Sequence, residues 1–288
     1  MTHQGLPQTR PKLVVTDLDR TLLRGDGTVS DATRNALDLV RAAGARVVIA
    51  TGRPPRWVAE PARAAGHDDL IVCANGASIY DPRLREIVRH EPIEAPDVGR
   101  LIDAIAEAVP GARFASESLF DFRGEREYLA ILDHDLWEDV EVVERASELA
   151  AWPATKLIVR HGSLRSPALA EALRPALARL ADGGVGATAT TSGLDIVELS
   201  RVGVSKLSAI RHLADGWGIG AAETIAFGDW WNDLAMIRWA GTGVVVANGH
   251  PDVLAEADIV APSNEDDGVA RVLASIYRSD RVEEAPRA

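Results

Sequence analysis

The sequence predicts an α/β protein: a parallel sheet core with helices on both faces, interrupted by an inserted α+β module. Three observations predict it. Short apolar strands alternate with amphipathic helices from Lys12 to about residue 92, the alternation fails between 93 and 193, and it resumes from Leu194 to Tyr277. Repeated strand-helix-strand units need crossover connections, so their strands run parallel and their carboxyl-end loops gather on one edge. The predicted core is therefore discontinuous, residues 1–92 with 194–288, and 93–193 forms the insertion. A chain of 288 residues exceeds the usual size of a single core, which agrees with two modules.

In chain order, Lys12 to Thr16 reads as a buried strand. Asp31 to Ala43 follows as a helix entered from Ser30 and ended by Gly44, and Arg46 to Ala50 as a second strand. A helix starts at Pro54 or Pro55, where proline costs no helical hydrogen bond. Leu70 to Ala74 is a third strand; Asn75-Gly76 then turns into Ala77 to Tyr80, which pairs with Glu86 to His90 as a hairpin. The insertion reads as helices at Asp97 to Val109 and Pro167 to Ala181 among short strands around Ala112, Leu119, Leu157 and Ala187. Between Phe122 and Ala151 the periodicity is poor. The core pattern resumes with a strand at Asp195 to Leu199, a helix at Ser205 to Trp217, a strand at Thr224 to Phe227, a helix at Asp233 to Trp239 and a strand at Val244 to Ala247. Pro251 to Ala257, Ile259 to Ala261 and Gly268 to Tyr277 complete it, and the charged tail after Ser279 reads as frayed.

Composition removes several function classes. A net charge of −12 and a pI near 5.1 argue against a non-specific nucleic-acid binder or a binder of anionic membranes. Cys73 is the only cysteine, which excludes an intrachain disulfide and a multi-cysteine zinc site; its neighbours Ile71 and Val72 make it a buried strand residue. Met1 to Arg10 lacks the apolar core of a signal peptide and no apolar run is long enough to span a bilayer, so the expected compartment is the cytoplasm. The expected assembly is a monomer or homodimer. Lysine occurs only at positions 12, 156 and 206, so a compact ammonium at any of them draws notice.

Four short motifs fall where strands of the core segments end. Asp17-Leu18-Asp19-Arg20-Thr21 follows the first strand and Thr51-Gly52-Arg53 the second; Lys206 opens the helix at Val204-Ser205-Lys206; Gly228-Asp229-Trp230-Trp231-Asn232-Asp233 follows the Thr224 to Phe227 strand. Alone, each has an ordinary explanation. Acidic residues after strands cap helices, Thr-Gly makes turns, and a lysine in a first helical turn is usually solvated. Independent turns and caps give no reason for this order at four ends of one sheet edge. Together the groups suit phosphoryl transfer, which needs alignment and charge neutralisation more than elaborate covalent chemistry. Thr51 offers a hydroxyl, Gly52 lets a backbone amide approach an anion, and Lys206 offsets negative charge. Asp229 would complete an oxygen-rich metal shell that Asn232 and Asp233 orient, or these two would bind Lys206.

On these motifs the chain resembles the haloacid dehalogenase superfamily phosphatases, specifically the Cof-type branch with a large C2-type cap inserted between the second and third motifs. The resemblance spans Lys12 to Tyr277 and includes Asn75-Gly76-Ala77 and Asn264 to Val269. It implies a Rossmann-like core, a covering cap, and a Mg²⁺-dependent phosphatase of small phosphorylated metabolites such as sugar phosphates. By resemblance Asp17 is the nucleophile, and Asp19 the general acid and then base. Thr51, Gly52, Arg53 and Lys206 hold the phosphoryl group, and Mg²⁺ binds Asp17, the Asp19 carbonyl and Asp229. A phosphomutase or phosphotransferase of the same superfamily, and a non-catalytic phosphometabolite-binding regulator, are the competing readings.

Two positions depart from the common pattern: Arg20 stands where glycine is frequent, and Trp230-Trp231 replace smaller or polar residues. Trp230 either stacks on a ligand or packs with Trp231 under the following helix. In the insertion Lys156 is either a reader of the leaving group or a solvated edge lysine, and Trp137, Trp152, His134 and His161 either line the cap or form its small core.

Overall fold

The structure is a computed structural model that describes residues 5–130, 140–191 and 195–278. His134, Trp137, the 193/194 boundary and the charged tail after Ser279 lie outside the described residues. Before the insertion come β1 (Leu13–Thr16), α1 (Asp31–Ala42), β2 (Arg46–Ala50), α2 (Ala59–Ala64), β3 (Ile71–Cys73), β4 (Ser78–Asp81) and β5 (Glu86–His90). The middle of the chain supplies α3 (Ala95–Ala108), β6 (Ala112–Ser118), β7 (Asp121–Glu125), α4 (Arg126–Leu129), β8 (Val140–Val143), β9 (Lys156–His161), α5 (Ser166–Asp182), β10 (Ala187–Thr190) and β11 (Val197–Arg201). The last part holds α6 (Lys206–Trp217), β12 (Thr224–Gly228), α7 (Leu234–Trp239), β13 (Thr242–Val246), α8 (Pro251–Leu254), β14 (Ile259–Ala261) and α9 (Gly268–Tyr277).

The first sheet runs β14-β13-β12-β1-β2-β3-β4-β5, parallel from β14 to β3 and closed by the antiparallel hairpin β4-β5. β1 lies inside it, between β12 and β2, and all four of its residues are buried. Both its faces are apolar because both are covered. Val14 joins the core under α1 and α9, while Leu13 and Val15 join the core under α6 and α7. α1 begins where the Ser30 side chain accepts the Thr33 amide at 3.0 Å, and it buries Ala36, Leu37 and Val40. Such packing delivers the strand ends rigidly to one edge.

The second sheet runs β10-β11-β9-β6-β7-β8, antiparallel except for the β7-β8 pair, with α3 and α5 over one face. Here the structure corrects two expectations. The strand placed at Asp195 to Leu199 is β11, antiparallel to β9 in the second sheet, so the parallel pattern resumes only with α6. Val197 and Leu199 pack against α3 and α5 while Glu198 and Ser200 alternate with them, a pattern that suits the antiparallel second sheet and not the doubly covered parallel one. Leu119 lies not in a strand but in the tight turn from β6 to β7, with φ of 56°. The weakly periodic stretch after Phe122 contains most of β7, the single-turn α4 and β8, all too short to show a period.

His67 closes the loop between α2 and β3. Its ring is buried, with Nδ1 3.4 Å from Arg41 and Nε2 3.4 Å from the Leu70 carbonyl. Burial, assisted by Arg41, lowers its pKa from 6.5 to about 4. Between those values the unfolded chain binds more protons than the folded one, so stability falls as the pH drops through the window. Over the drop from about pH 7 to about pH 4.5 this contributes roughly 2.5 kcal/mol. Urea denaturation at both pH values is expected to show His67→Gln losing less stability than the parent by about that amount. Equal losses would show that His67 is not responsible.

Candidate active site

Asp17 is the first residue beyond β1, and its amide still donates to the Phe227 carbonyl of β12 at 2.9 Å. The turn therefore starts from a fixed point. α6 begins at Lys206 because Ser205 and Ser208 form a reciprocal cap, and this sends the Lys206 side chain, wholly buried, toward β1. Its Nζ lies 2.5 Å from Asp17 Oδ1 and 2.6 Å from Asp233 Oδ1. The other oxygen of Asp233 accepts the amides of Asp229 at 3.0 Å and Trp230 at 3.1 Å, which folds the loop after β12 back on itself. Thr21 Oγ1 donates to Asp229 Oδ1 at 3.4 Å. Two glycines are required by space. A Cβ on Gly228 would lie 2.5 Å from the Asp233 Cβ, and one on Gly76 would lie 2.1 Å from the Ser205 carbonyl oxygen.

Asp17, Asp229 and Asp233 are buried and offer oxygens within 4.8 Å of one another. Burial opposes the Lys206 ammonium, yet Asp17 and Asp233 together hold its pKa above the ordinary value. Burial pushes the Asp17 carboxyl well up; Lys206 opposes this while Asp233 and Asp229 reinforce it. Asp229 rises to about 6, chiefly through burial and then Asp233. Three carboxylates thus share one buried ammonium. The surplus of negative charge and the all-oxygen donor set fit a hard divalent cation.

Thr51 is the first residue beyond β2 and is buried; its amide donates to the Val72 carbonyl and its hydroxyl oxygen accepts the Arg53 amide at 3.0 Å. Arg53 crosses to Asp19, with Nε 3.0 and 2.9 Å from the two carboxylate oxygens and Nη2 2.5 Å from Oδ1. The Asp19 side chain keeps 44% exposure, so it is the open member of the set. Asn232 bonds neither Lys206 nor Asp229; its side chain donates to Asn75 Oδ1 at 3.0 Å, joining the last loop to the one after β3. Neither this pairing nor the Arg53–Asp19 pairing follows from the sequence, where Asn75-Gly76 marks a turn and a piece of the family resemblance but no partner. The close seat of Gly76 on Ser205 shows why that turn has its composition.

A model of haloacid dehalogenase-like hydrolases matches residues 14–273. The chain belongs to that family. A 5-amino-6-(5-phospho-D-ribitylamino)uracil phosphatase of Bacillus subtilis is 28% identical over 94% of this chain and 99% of its own length. A pyridoxal phosphate phosphatase of Escherichia coli is 25% identical over 92% and 98%. Among solved structures, the phosphatase BT1666 of Bacteroides thetaiotaomicron superposes with a TM-score of 0.77 at 23% identity, over 93% of this chain and 95% of its own. The family and these relatives make this chain a phosphoric monoester hydrolase of the haloacid dehalogenase superfamily.

The hydrolase accommodates its two departures differently. Arg20 has φ of 61°, a left-handed conformation that explains the usual glycine, and its carbonyl is held by Asn248 at 2.8 Å. Its guanidinium lies 3.8 Å from Asp229 and 6.0 Å from the Trp230 ring centroid. Trp230 and Trp231 both meet the His250 ring, at 5.1 and 5.0 Å between centroids, and Trp231 stays 45% exposed, so the pair flanks His250 and is not buried under the helix. Lys156 is no edge lysine: β9 lies between β11 and β6, and the residue is 2% exposed. His161 caps a turn, accepting the Ser163 and Leu164 amides, and Trp152 lies under Arg123, whose guanidinium is 4.3 Å from its ring centroid. No second group of three possible metal ligands occurs among the described residues.

Removing one of the three crowded carboxylates relieves repulsion that a cation would otherwise relieve. In EDTA, Asp229→Asn is expected to melt roughly 2–4 °C above the parent, and magnesium chloride is expected to raise the melting temperature of the parent but not of the variant. Thermal melts of both proteins, with and without the salt, measure this.

Proposed function

We propose that this hydrolase is a Mg²⁺-dependent phosphatase of small phosphorylated metabolites, with sugar phosphates and related compounds as its substrate class, acting through an aspartyl-phosphate on Asp17. The observation that carries the reading is the Lys206 ammonium bridging Asp17 and Asp233 beside Asp229. That arrangement aligns a carboxylate, supplies a counter-charge for a phosphoryl group, and leaves oxygens for a cation. Mg²⁺ would be held by Asp17, the Asp19 carbonyl and Asp229, and when bound it supplies charge neutralisation at the phosphoryl oxygens. Two relatives named for phosphoribitylaminouracil and for pyridoxal phosphate support a small, single-phosphate substrate.

In the first step an Asp17 oxygen forms a bond to phosphorus while the bond to the leaving oxygen breaks, and Asp19 gives that oxygen a proton. Asp19 is engaged by Arg53 here, so donation requires its carboxyl to turn from Arg53 toward the ester. In the second step Asp19 takes a proton from water as the water oxygen bonds to phosphorus and the Asp17–phosphorus bond breaks. Inorganic phosphate leaves and both aspartates return to their starting forms. Thr51, the Gly52 amide region, Arg53 and Lys206 hold the phosphoryl oxygens throughout. Residues from about 93 to β11 act as the cap, whose second sheet excludes water and reads the leaving group.

Asp17→Asn keeps the shape and removes the nucleophile. Phosphate release from a panel of phosphorylated metabolites is expected to fall by roughly 10⁴-fold or more while circular dichroism stays unchanged. Turnover that survives this substitution would end the aspartyl-phosphate mechanism, and transfer to an added alcohol in place of water would make the enzyme a phosphotransferase.

A further inference from the structure

The second sheet reaches the Thr51-Gly52-Arg53 backbone through a buried cation. Lys156 starts β9, reaches out of its own sheet, and places Nζ 2.6 Å from Glu198 Oε1 and 2.7 Å from the main-chain carbonyl oxygen of Gly52. Glu198 lies on the neighbouring strand β11, and both side chains of the ion pair are nearly inaccessible, at 2% and 8%. The carbonyl it meets belongs to the peptide unit joining Gly52 to Arg53. The N–H of that same unit donates to Thr51 Oγ1 at 3.0 Å.

We propose that Lys156 is a positioning residue for phosphoryl binding: the second sheet, through Lys156, fixes the peptide unit that aims the Thr51 hydroxyl. This rests on the phosphatase reading above. A peptide unit is planar, so a bond at its oxygen also sets the direction of its N–H. A hydroxyl whose oxygen already accepts from that N–H has its own hydrogen free to point elsewhere, toward a phosphoryl oxygen. Donation into the carbonyl also strengthens the amide as a donor. The Thr51 backbone itself is fixed from the first sheet, its amide on Val72 and its carbonyl on the Asn75 amide. Only the Gly52–Arg53 unit depends on the second sheet.

A tie that merely held the two sheets together would not need this target. Such ties exist nearby: Arg56 pairs with Glu117 at 2.7 Å, and Arg201 on β11 pairs with Glu91 after β5 at 2.8 Å. Both run between side chains. Lys156 instead divides its donors between a carboxylate of its own sheet and a main-chain oxygen one residue from Thr51. When the second sheet is seated, the hydroxyl is aimed; when it lifts, the peptide unit loses its outer anchor. Phosphoryl binding and seating of the cap are thereby linked through the Lys156–Gly52 hydrogen bond.

The test pairs Lys156→Met with the double variant Lys156→Met/Glu198→Gln, which avoids leaving a buried carboxylate unpartnered. Turnover is measured with p-nitrophenyl phosphate, and binding of inorganic phosphate by calorimetry. Arg201→Met, which cuts an exposed tie, serves as the control. The double variant is expected to lose about 10- to 100-fold in kcat, with KM changing less, and to bind inorganic phosphate about 10-fold more weakly. The control should stay within about 2-fold of the parent. If the double variant keeps kcat and phosphate affinity within about 3-fold of the parent, Lys156 is only structural and the proposal fails, whatever happens to the melting temperature, while the phosphatase reading stands. If the parent itself neither releases nor binds phosphate, the phosphatase reading fails and takes this proposal with it.

Discussion

The bridge from Lys206 to Asp17 and Asp233 is the constraint on which the rest of the structure depends. All three groups are out of water, and burying a charge costs several kcal/mol unless partners surround it. One ammonium cannot balance three carboxylates, so the site is held together by the fold around it and not by its own electrostatics. β1 and β12 fix Asp17, the Ser205 cap fixes Lys206, and the double amide bond to Asp233 fixes the loop that carries Asp229. The apolar cores on both faces of the first sheet supply the stability that this arrangement consumes.

Much of that framework is legible in the sequence because it rests on short-range rules. The apolar run before Asp17, the Ser30 cap and the Asn75-Gly76 turn each carry a local signature, and the parallel-sheet rule then brings distant strand ends together. Two kinds of fact escape such rules. A strand's partner is one: the local pattern marks a strand near Val197 to Arg201, and its pairing with β9 and β10 is set by the tertiary fold. The reach of a side chain across elements is the other. Arg53 to Asp19, Asn232 to Asn75 and Lys156 to Gly52 join residues 34, 157 and 104 positions apart, and no spacing announces them.

Those long-range bonds share a direction. Each runs into the loops after β1, β2 or β3, so these strand-end loops are held from outside their own segments. Arg53 holds the exposed carboxyl of Asp19, Asn232 joins the last loop to the turn that seats α6, and Lys156 brings the second sheet to bear on Thr51. The four motifs therefore behave as one cross-braced unit, in which movement at any loop is resisted by a neighbour.

Arg20 shows where the bracing is not about stability. A non-glycine residue held at φ of 61° costs on the order of 1 kcal/mol, and a half-exposed ion pair at 3.8 Å contributes about 0–1 kcal/mol in return. The exchange is level at best, and glycine would meet the backbone requirement at no cost. What arginine adds is position: a cation at the rim, beside Asp229 and over Trp230, where the surplus negative charge of the site meets solvent. The guanidinium moderates that charge, since it is among the groups that oppose the rise of Asp229. The side chain at position 20 is thus accounted for by the electrostatics at the rim of the site and not by the turn in which it sits.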